Sequence, residues 1–470
     1  MLTNVRPAIH MPTFRLTEAN NALVLAMMCI GGVYSNRLDV GGARQMMDFT
    51  RKTVNSNSNV YLRTMSGQTE GLSSTIWDVE EVQALWMLQT ITLWHGDAKQ
   101  RAAARNDFVI VVRVVRAMNL LQQAGPGHYA YSALHNARHG QVNASSFNWQ
   151  GWLEQEKRNR ILYLTFLTDT ALVMFFNTVP QFDPLDIRLM LPADDAAWDA
   201  SDAQECANAL GLNGPQMQLK NVNGTRRPTQ PGMREAMRTL MEPTAVFHQS
   251  STNAYGKFIL VHALIVRIIA AQKTVLLQDS PFQNMNFAGL ASGPATPLSQ
   301  NDWLDTHGGA LSGRSSGRSS GQATPNASDA YGAQYVAAQQ EKQRLSNALD
   351  KWKRNWDHDM ELQYPTGRGH RRFGFCRDGV HFFYLGRSLI QSTRAADWTL
   401  PADKRFQQVI SLLKRIKGFV LGDHEAKGHD IGSVGDIDEQ YGLDDLTLDM
   451  KLLFKPYNAL VDSPVAGVRA

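Results

Sequence analysis

The stretch that most constrains this chain runs from Trp149 to Asp199, WQGWLEQEKRNRILYLTFLTDTALVMFFNTVPQFDPLDIRLMLPADDAAWD. It reads as one long helix and its exit. From Leu153 to Arg160 the segment is charged, with Glu156 and Arg160 placed i,i+4 to face each other, and from Ile161 to Phe176 it is apolar on nearly every face. Such a helix is expected to enter from the surface and to end inside a large core. Asn177 and Thr178 loosen its end, Pro180 and Pro184 forbid its continuation, and Leu191-Pro192 starts another extended piece. Asp169 lies inside the apolar run, where a lone carboxylate is costly, so a partner is expected, with Arg113 or Arg116 as the candidate cations.

A core that can hold such a helix needs a large body around it. The 470 residues, 43% hydrophobic and 19% charged, suffice for one large or two ordinary domains. The rest of the pattern is helical. A helix capped by Thr17 is expected from about Asn20 to Ile30, another over Ala43 to Val54 before a polar turn at Asn55 to Asn59, and another over Asp78 to Trp94 with Asp78 in capping position. Phe108 to Leu121 is rich in β-branched residues, but its length and a cap at Asn106 or Asp107 assign it to helix. Gly125 to Ser146 and Asn213 to Pro231 read as loops, and Met233 to Gln278 as two helical segments. Residues 279–334 change character: Gly, Ser, Pro and Thr dominate, SGRSSGRSSG repeats, and too little apolar surface exists to offset ordering, so a disordered linker is expected. Helix returns over Tyr335 to Leu362, where Leu345, Leu349, Trp352 and Trp356 form a seam assigned to the core, and then over Asp378 to Gln391 and Arg405 to Leu421. The expected fold is all-α, a large bundle-like assembly interrupted by a linker.

Candidate chemistry is sparse. A net charge of +4 without a concentrated basic stripe does not argue nucleic-acid binding. Cys29, Cys206 and Cys376 stand far apart and form no zinc-ligand spacing; they read as free thiols. His128, His135 and His139 include an H-x-x-x-H pair, but no third ligand accompanies it. His10, between two prolines, reads as structural. Asp194, Asp195 and Asp199 form a D-D-x-x-x-D string that could hold a hard cation, as in an all-α prenyl-diphosphate enzyme; the competing reading makes Asp194 or Asp195 the cap of a short helix containing Trp198. Arg267 interrupts a long apolar run and is expected to pair with an acid or to snorkel. No membrane span is expected, because the best apolar runs are broken by Arg267 and Asp169.

The spacing Trp152, Glu156, Arg158, Arg160, Tyr163, Phe166, Asp169, then Pro180 and Leu191-Pro192-Ala193-Asp194-Asp195-Ala196-Ala197-Trp198, resembles the fungal-specific transcription factor domain. The strings His10 to Phe14 and Gly432 to Tyr441 are similar to the branch of fungal regulators that reads DNA with two-Cys, two-His zinc fingers. This resemblance implies residues 1–278 as the regulatory domain, a linker at 279–334, and a helical segment over 335–470 packing on it. It also implies a nuclear, non-enzymatic regulator of RNA polymerase II transcription that acts through protein contacts or a small signal. Implied partners are co-regulators, a DNA-binding partner or a second copy, with no cofactor in this chain and DNA contacted only through an N-terminal module missing here. An adaptor that has lost its DNA-binding module is the alternative within this class.

Overall fold

The computed structural model describes residues 8–35, 37–136, 142–213, 227–248, 251–278, 327–363, 379–392 and 395–421. Among them are thirteen α-helices, two short 3-10 helices at Ala133–His135 and Ala395–Trp398, and no strand, only an isolated antiparallel bridge between Met190 and Gly232. The all-α expectation holds.

Local capping sets where the first helices begin. Helix α1 (Asn21–Tyr34) starts at Asn20, whose side chain accepts the Ala22 N–H, three residues beyond the expected Thr17 cap. Helix α2 (Val40–Asn57) is capped by Asp39 and overruns the expected polar turn, and Ser58 caps a further short helix, α3 (Asn59–Met65), that periodicity did not reveal. Helix α4 (Ile76–His95) opens with a reciprocal capping box in which Thr75 is the cap and Asp78 the third residue, which corrects the role expected of Asp78. Helix α5 (Ala98–Ala117) begins at an Asp97/Gln100 capping box, ten residues before the expected start at Phe108. Its valine-rich stretch is the buried second half of a helix whose polar first half, AKQRAAARND, gave no apolar signal. Asp107, expected as a cap, instead pairs with Arg51 at 2.6 Å.

Helix α6 (Trp149–Phe176) runs through the middle, packed by α4 and α5 and, from the other half of the chain, by α10 (Ala254–Gln278) and α13 (Ala402–Leu421). Between them come α7 (Asp195–Trp198), α8 (Ala203–Ala209) and α9 (Met233–Met241), then α11 (Ala327–Gln363) and α12 (Val380–Gln391). One apolar core extends continuously from Ala8 to Ile416, and a second, smaller one gathers Trp152, Ala193, Trp198 and Cys206. The expected seam, Leu345, Leu349, Trp352 and Trp356, is fully inside, with the two indoles stacked 5.2 Å apart. Helix α11 begins at Ala327, inside the span read as linker, so the linker's end moves back to residue 326 at the latest; 279–326 and the string at 432–441 lie outside the described residues.

Helix α10 is the one described helix long and apolar enough to cross a membrane. Its polar residues point the other way. Lys257 is buried in an ion pair with Asp359, Arg267 donates from Nε to Glu341 at 3.0 Å, and the Gln272 amide donates to the carbonyls of Leu389 and Ile390. Every one of these partners belongs to α11 or α12, which makes α10 the shared core helix of the C-terminal half, and the expectation that Arg267 finds an acid is met.

Candidate functional site

The residues singled out on α6 converge on one another and on the chain that follows the helix. Asn148 caps α6 by accepting the Gly151 N–H at 3.1 Å, and Gly151 is required because a Cβ there would stand 2.3 Å from the Tyr131 carbonyl oxygen. Three residues after Gly151 the expected surface entry fails. Glu154, Gln155, Glu156, Arg158, Asn159 and Arg160 are all buried, because each finds a partner inside the molecule or on the helix itself.

Glu156 and Arg160 form the centre. The i,i+4 pair closes at 2.7 Å from Arg160 Nε to Glu156 Oε1, and both side chains reach the same peptide segment beyond. Glu156 Oε1 accepts the Ala193 N–H at 2.9 Å, while Arg160 donates from Nη2 to the Ala193 carbonyl at 2.9 Å. The guanidinium lies 4.3 Å from the Trp198 ring centroid, a cation–π contact that draws the motif tryptophan onto the helix. His135 Nε2 stands 3.3 Å from Glu156 Oε2. Burial pushes the Glu156 carboxyl up, but Arg160 and His135 together outweigh it and hold it below the ordinary value.

The other motif residues repeat the arrangement further along. Tyr163 donates its hydroxyl to the Leu189 carbonyl at 3.2 Å. Asp169 Oδ2 accepts the N–H groups of Gln181 and Phe182 at 2.8 and 3.0 Å, just after Pro180 turns the chain, and Phe166 meets Phe182 edge-on. The expected cation at Asp169 is therefore replaced by two backbone amides. Arg116 instead donates to the Gln181 carbonyl and lies over the Phe182 ring, and Arg113 is exposed. Burial pushes the Asp169 carboxyl up to about 7 against the pull of those amides and of Arg116. Read in order, 169 holds 181 and 182, 163 holds 189, and 156 with 160 holds 193: the exit chain runs back antiparallel along its own helix. Trp152 and Arg158 secure the near end, Trp152 in the smaller core and Arg158 donating to the Ser73 hydroxyl.

Leu191 and Pro192 are buried where this returning chain meets α10: the Leu191 N–H donates to the Pro231 carbonyl and the Pro192 carbonyl accepts from Asn253 at 2.8 Å. Asp194 does not cap α7 with its side chain, as the sequence suggested; its carboxylate takes Arg227 at 2.6 Å and Gln230 at 3.0 Å. Burial pushes its pKa up to about 6, opposed by Arg227. Asp195 is exposed at the start of α7 and Asp199 stands at its end, so the three acids do not converge, and no group of three His, Cys, Asp or Glu among the described residues is placed to share a metal ion. His10 packs edge-on against Trp198 and reaches Thr13 and the Ala200 carbonyl at 2.7 and 3.1 Å; burial pushes it down to about 4. His128 reaches the Ser73 carbonyl, Cys29 and Cys206 are buried free thiols, and His139 and Cys376 lie outside the described residues. Sequence reasoning did not join Ala193, His135, Arg227 and Gln230 to this network: Ala193 stood in the motif string and His135 was weighed only as a metal ligand, while Arg227 and Gln230 lie in a stretch read simply as loop.

The central acids and bases of this helical body are engaged with its own backbone, which is the arrangement of a scaffold, and among the described residues they are not grouped to share a metal ion. The chain belongs to the fungal specific transcription factor domain family, whose sequence model matches residues 4–354. Among its relatives are the transcription factor verF of Penicillium polonicum, 26% identical over 43% of this chain and 27% of that protein, and the zinc finger protein zas1 of Schizosaccharomyces pombe, 23% identical over 42% and 20%. The transcription factor PfmaH of Pestalotiopsis fici is 23% identical over 42% of this chain and 19% of its own length. The matched regions thus span roughly a fifth to a quarter of these relatives. No solved structure matches the chain. The family is one of transcription regulators and not of enzymes, and the prenyl-diphosphate alternative finds no support in it.

Proposed function

We propose that this chain is the regulatory part of a nuclear fungal transcription factor that acts on RNA polymerase II transcription through protein contacts or a small signal. The family match across residues 4–354 supports this reading most directly. In it, Trp152, Glu156, Arg158, Arg160, Tyr163, Phe166, Asp169, Pro180, Leu191, Pro192, Asp194, Asp195 and Trp198 shape a rigid scaffold and bind no ligand themselves. Residues 1–278 form the regulatory body and the helices after residue 326 complete it. DNA is read by a zinc-binding module outside this body, and the zinc-finger name of one relative is in keeping with the two-Cys, two-His branch. Co-regulators, a DNA-binding partner or a second copy dock on the outer surface.

The experiment is a tethered reporter. The full chain, fused to an unrelated DNA-binding domain, should change expression of a reporter carrying that domain's sites several-fold, in either direction, and should concentrate in the nucleus. A soluble fusion that reaches the promoter and leaves expression unchanged would overturn the proposal.

A further inference from the structure

A second cluster of charge lies where α5 passes the start of α13. Arg101 is 2% exposed and donates from Nη1 to the Gly96 carbonyl at 2.8 Å. Its Nε and Nη2 find no partner among the described residues. These two nitrogens make up one edge of the guanidinium, with N–H bonds pointing the same way, and that edge is the fork that grips a carboxylate or phosphate with two hydrogen bonds. Arg105, one turn further along the same face of α5, brings a second guanidinium beside the first. Both lie over an aromatic floor: Arg101 is 5.8 Å from the Phe406 ring centroid, Arg105 is 4.8 Å from that of Phe176, and the two rings stack 4.9 Å apart.

The local charges do not balance. Burial lowers the Arg101 pKa, Asp403 and Asp97 raise it, and Arg105 and Arg44 lower it, so three cations meet two carboxylates. Neither carboxylate fills the fork. Asp97 caps α5 and accepts the Gln100 N–H at 2.8 Å. Asp403 Oδ1 stands 3.5 Å from Arg105 Nη1, and neither atom makes a hydrogen bond among the described residues. A buried guanidinium left this way is costly unless further acceptors reach it.

We propose that Arg101 and Arg105 form a binding site for a small tetrahedral oxyanion, a phosphate group either free or at the end of a small molecule, with Asp403 as the movable plug over it. Asp403, its side chain 39% exposed in the first turn of α13, is the outermost member and can turn into water while the helix stays in place. The anion then takes Arg101 Nε and Nη2 as a pair and Arg105 Nη1 as a third donor, and offsets the excess of positive charge. The arginines sit too deep for the surface of a folded partner to reach them, which selects a small ligand. Asp403 and Phe406 lie beyond residue 354, where the family match ends, so the bound anion would tie a helix of the matched body to one outside it. The site stands apart from the regulatory reading above and does not depend on it.

Equilibrium dialysis of the full chain against radiolabelled inorganic phosphate, in about 0.15 M sodium chloride, tests it. Uptake should saturate at about one phosphate per chain. Arg105→Gln should weaken it about tenfold or more, the loss of one charge-assisted hydrogen bond, while Arg113→Gln, which removes an exposed cation from the same helix, should leave it unchanged. Asp403→Asn should tighten it, because the plug no longer competes; a carboxylate that only holds the two helices together gives no such gain. Asp403 is partly exposed, so that variant stays informative if Arg105→Gln fails to fold, and circular dichroism checks the helix content of each. A parallel arm with glycerol phosphate separates the two sources: tighter binding of inorganic phosphate marks the free anion, and tighter binding of the monoester marks a terminal group. Uptake that survives Arg105→Gln in a folded chain marks an adventitious ion only and overturns the proposal, as does the absence of saturable uptake or an Asp403→Asn variant that binds no better. None of these results bears on the tethered reporter, so failure here and failure of the regulatory reading remain distinguishable.

Discussion

Removing one member of the Glu156–Arg160 pair should cost far more than removing both. In the Glu156→Leu variant Arg160 remains inside, 1% exposed, with its Nε unpaired and the Ala193 carbonyl and the faces of Trp198 and Tyr255 left to it. Breaking a buried pair this way costs about 3–5 kcal/mol. The Ala193 N–H also loses its acceptor, adding about 1–3 kcal/mol. Arg160→Leu strands the Glu156 carboxylate in the same way, with His135 as its remaining side-chain partner, so each single change should remove a large share of a typical 5–15 kcal/mol stability. The double variant Glu156→Leu/Arg160→Leu leaves no charge behind and loses mainly the two Ala193 hydrogen bonds, at about 2–4 kcal/mol in total. Neither single variant should therefore be more stable than the double, and the four-corner cycle should show a coupling of several kcal/mol. Urea unfolding followed by helical circular dichroism at constant pH gives the four values, with soluble yield as a second readout where a single variant fails to fold. Additive effects, or single changes below about 1 kcal/mol, would show that the pair does not hold the returning chain. A pH arm follows from the carboxyl's lowered pKa in the fold: the pair's contribution is present above the unfolded-state value near 4.5 and is lost as pH falls below it, and the double variant should lack this acid loss.

Asp169 should behave in the opposite sense. Its folded value of about 7 lies above the unfolded value of 3.8, so its stabilising share is present below pH 4 and is lost as pH rises through 7, on the order of a few kcal/mol. Asp169→Asn, which can still accept the Gln181 and Phe182 amides, should flatten the fall in melting temperature between pH 4 and 7; an unchanged slope refutes it. Replacing residues 280–326 by a short Gly-Ser tether should leave helix content and melting nearly unaltered, since the partners that fix α11 and α10 together, Glu341 with Arg267 and Asp359 with Lys257, lie beyond it. A large drop in melting temperature would show a packed segment there. Metal analysis of the purified chain should find well under one zinc per molecule, because Cys29 and Cys206 are separately buried and, among the described residues, no three metal-capable side chains gather; stoichiometric zinc would contradict this.

Helix type was legible wherever apolar residues recur with a helical period over several turns, as in α4, α6 and α10. Boundaries were not, since the caps that set them are single side chains such as Asn20, Asp97 and Ser58, and the first half of α5 is too polar to signal a helix. The site was half legible. The motif residues on α6 and the LPADD string were seen, and a long helix with a hard stop was seen between them. What no local pattern announces is that the two touch. Charges on a helix read as surface because their partners are invisible at helical spacing: Ala193 lies 37 residues from Glu156, and Arg227 lies 33 from Asp194. Asp169 misled for a related reason. A buried carboxylate demands donors, but backbone amides exposed by a proline turn meet that demand as well as any arginine, and amides carry no sequence signature.

The two halves of the core differ in when they can be completed during synthesis. Every hydrogen bond from Asp169, Tyr163, Glu156 and Arg160 to the returning chain spans 12 to 37 residues, so the ribosome need release only a few dozen more residues before the α6 contacts can close. The polar groups of α10 wait longer: Arg267 for a residue 74 positions on, Lys257 for one 102 on, and Gln272 for carbonyls 117 and 118 on. At about 5–20 residues per second, that leaves the longest strongly apolar stretch among the described helices without its polar partners for several seconds, long enough for a chaperone or a neighbouring nascent chain to find it first.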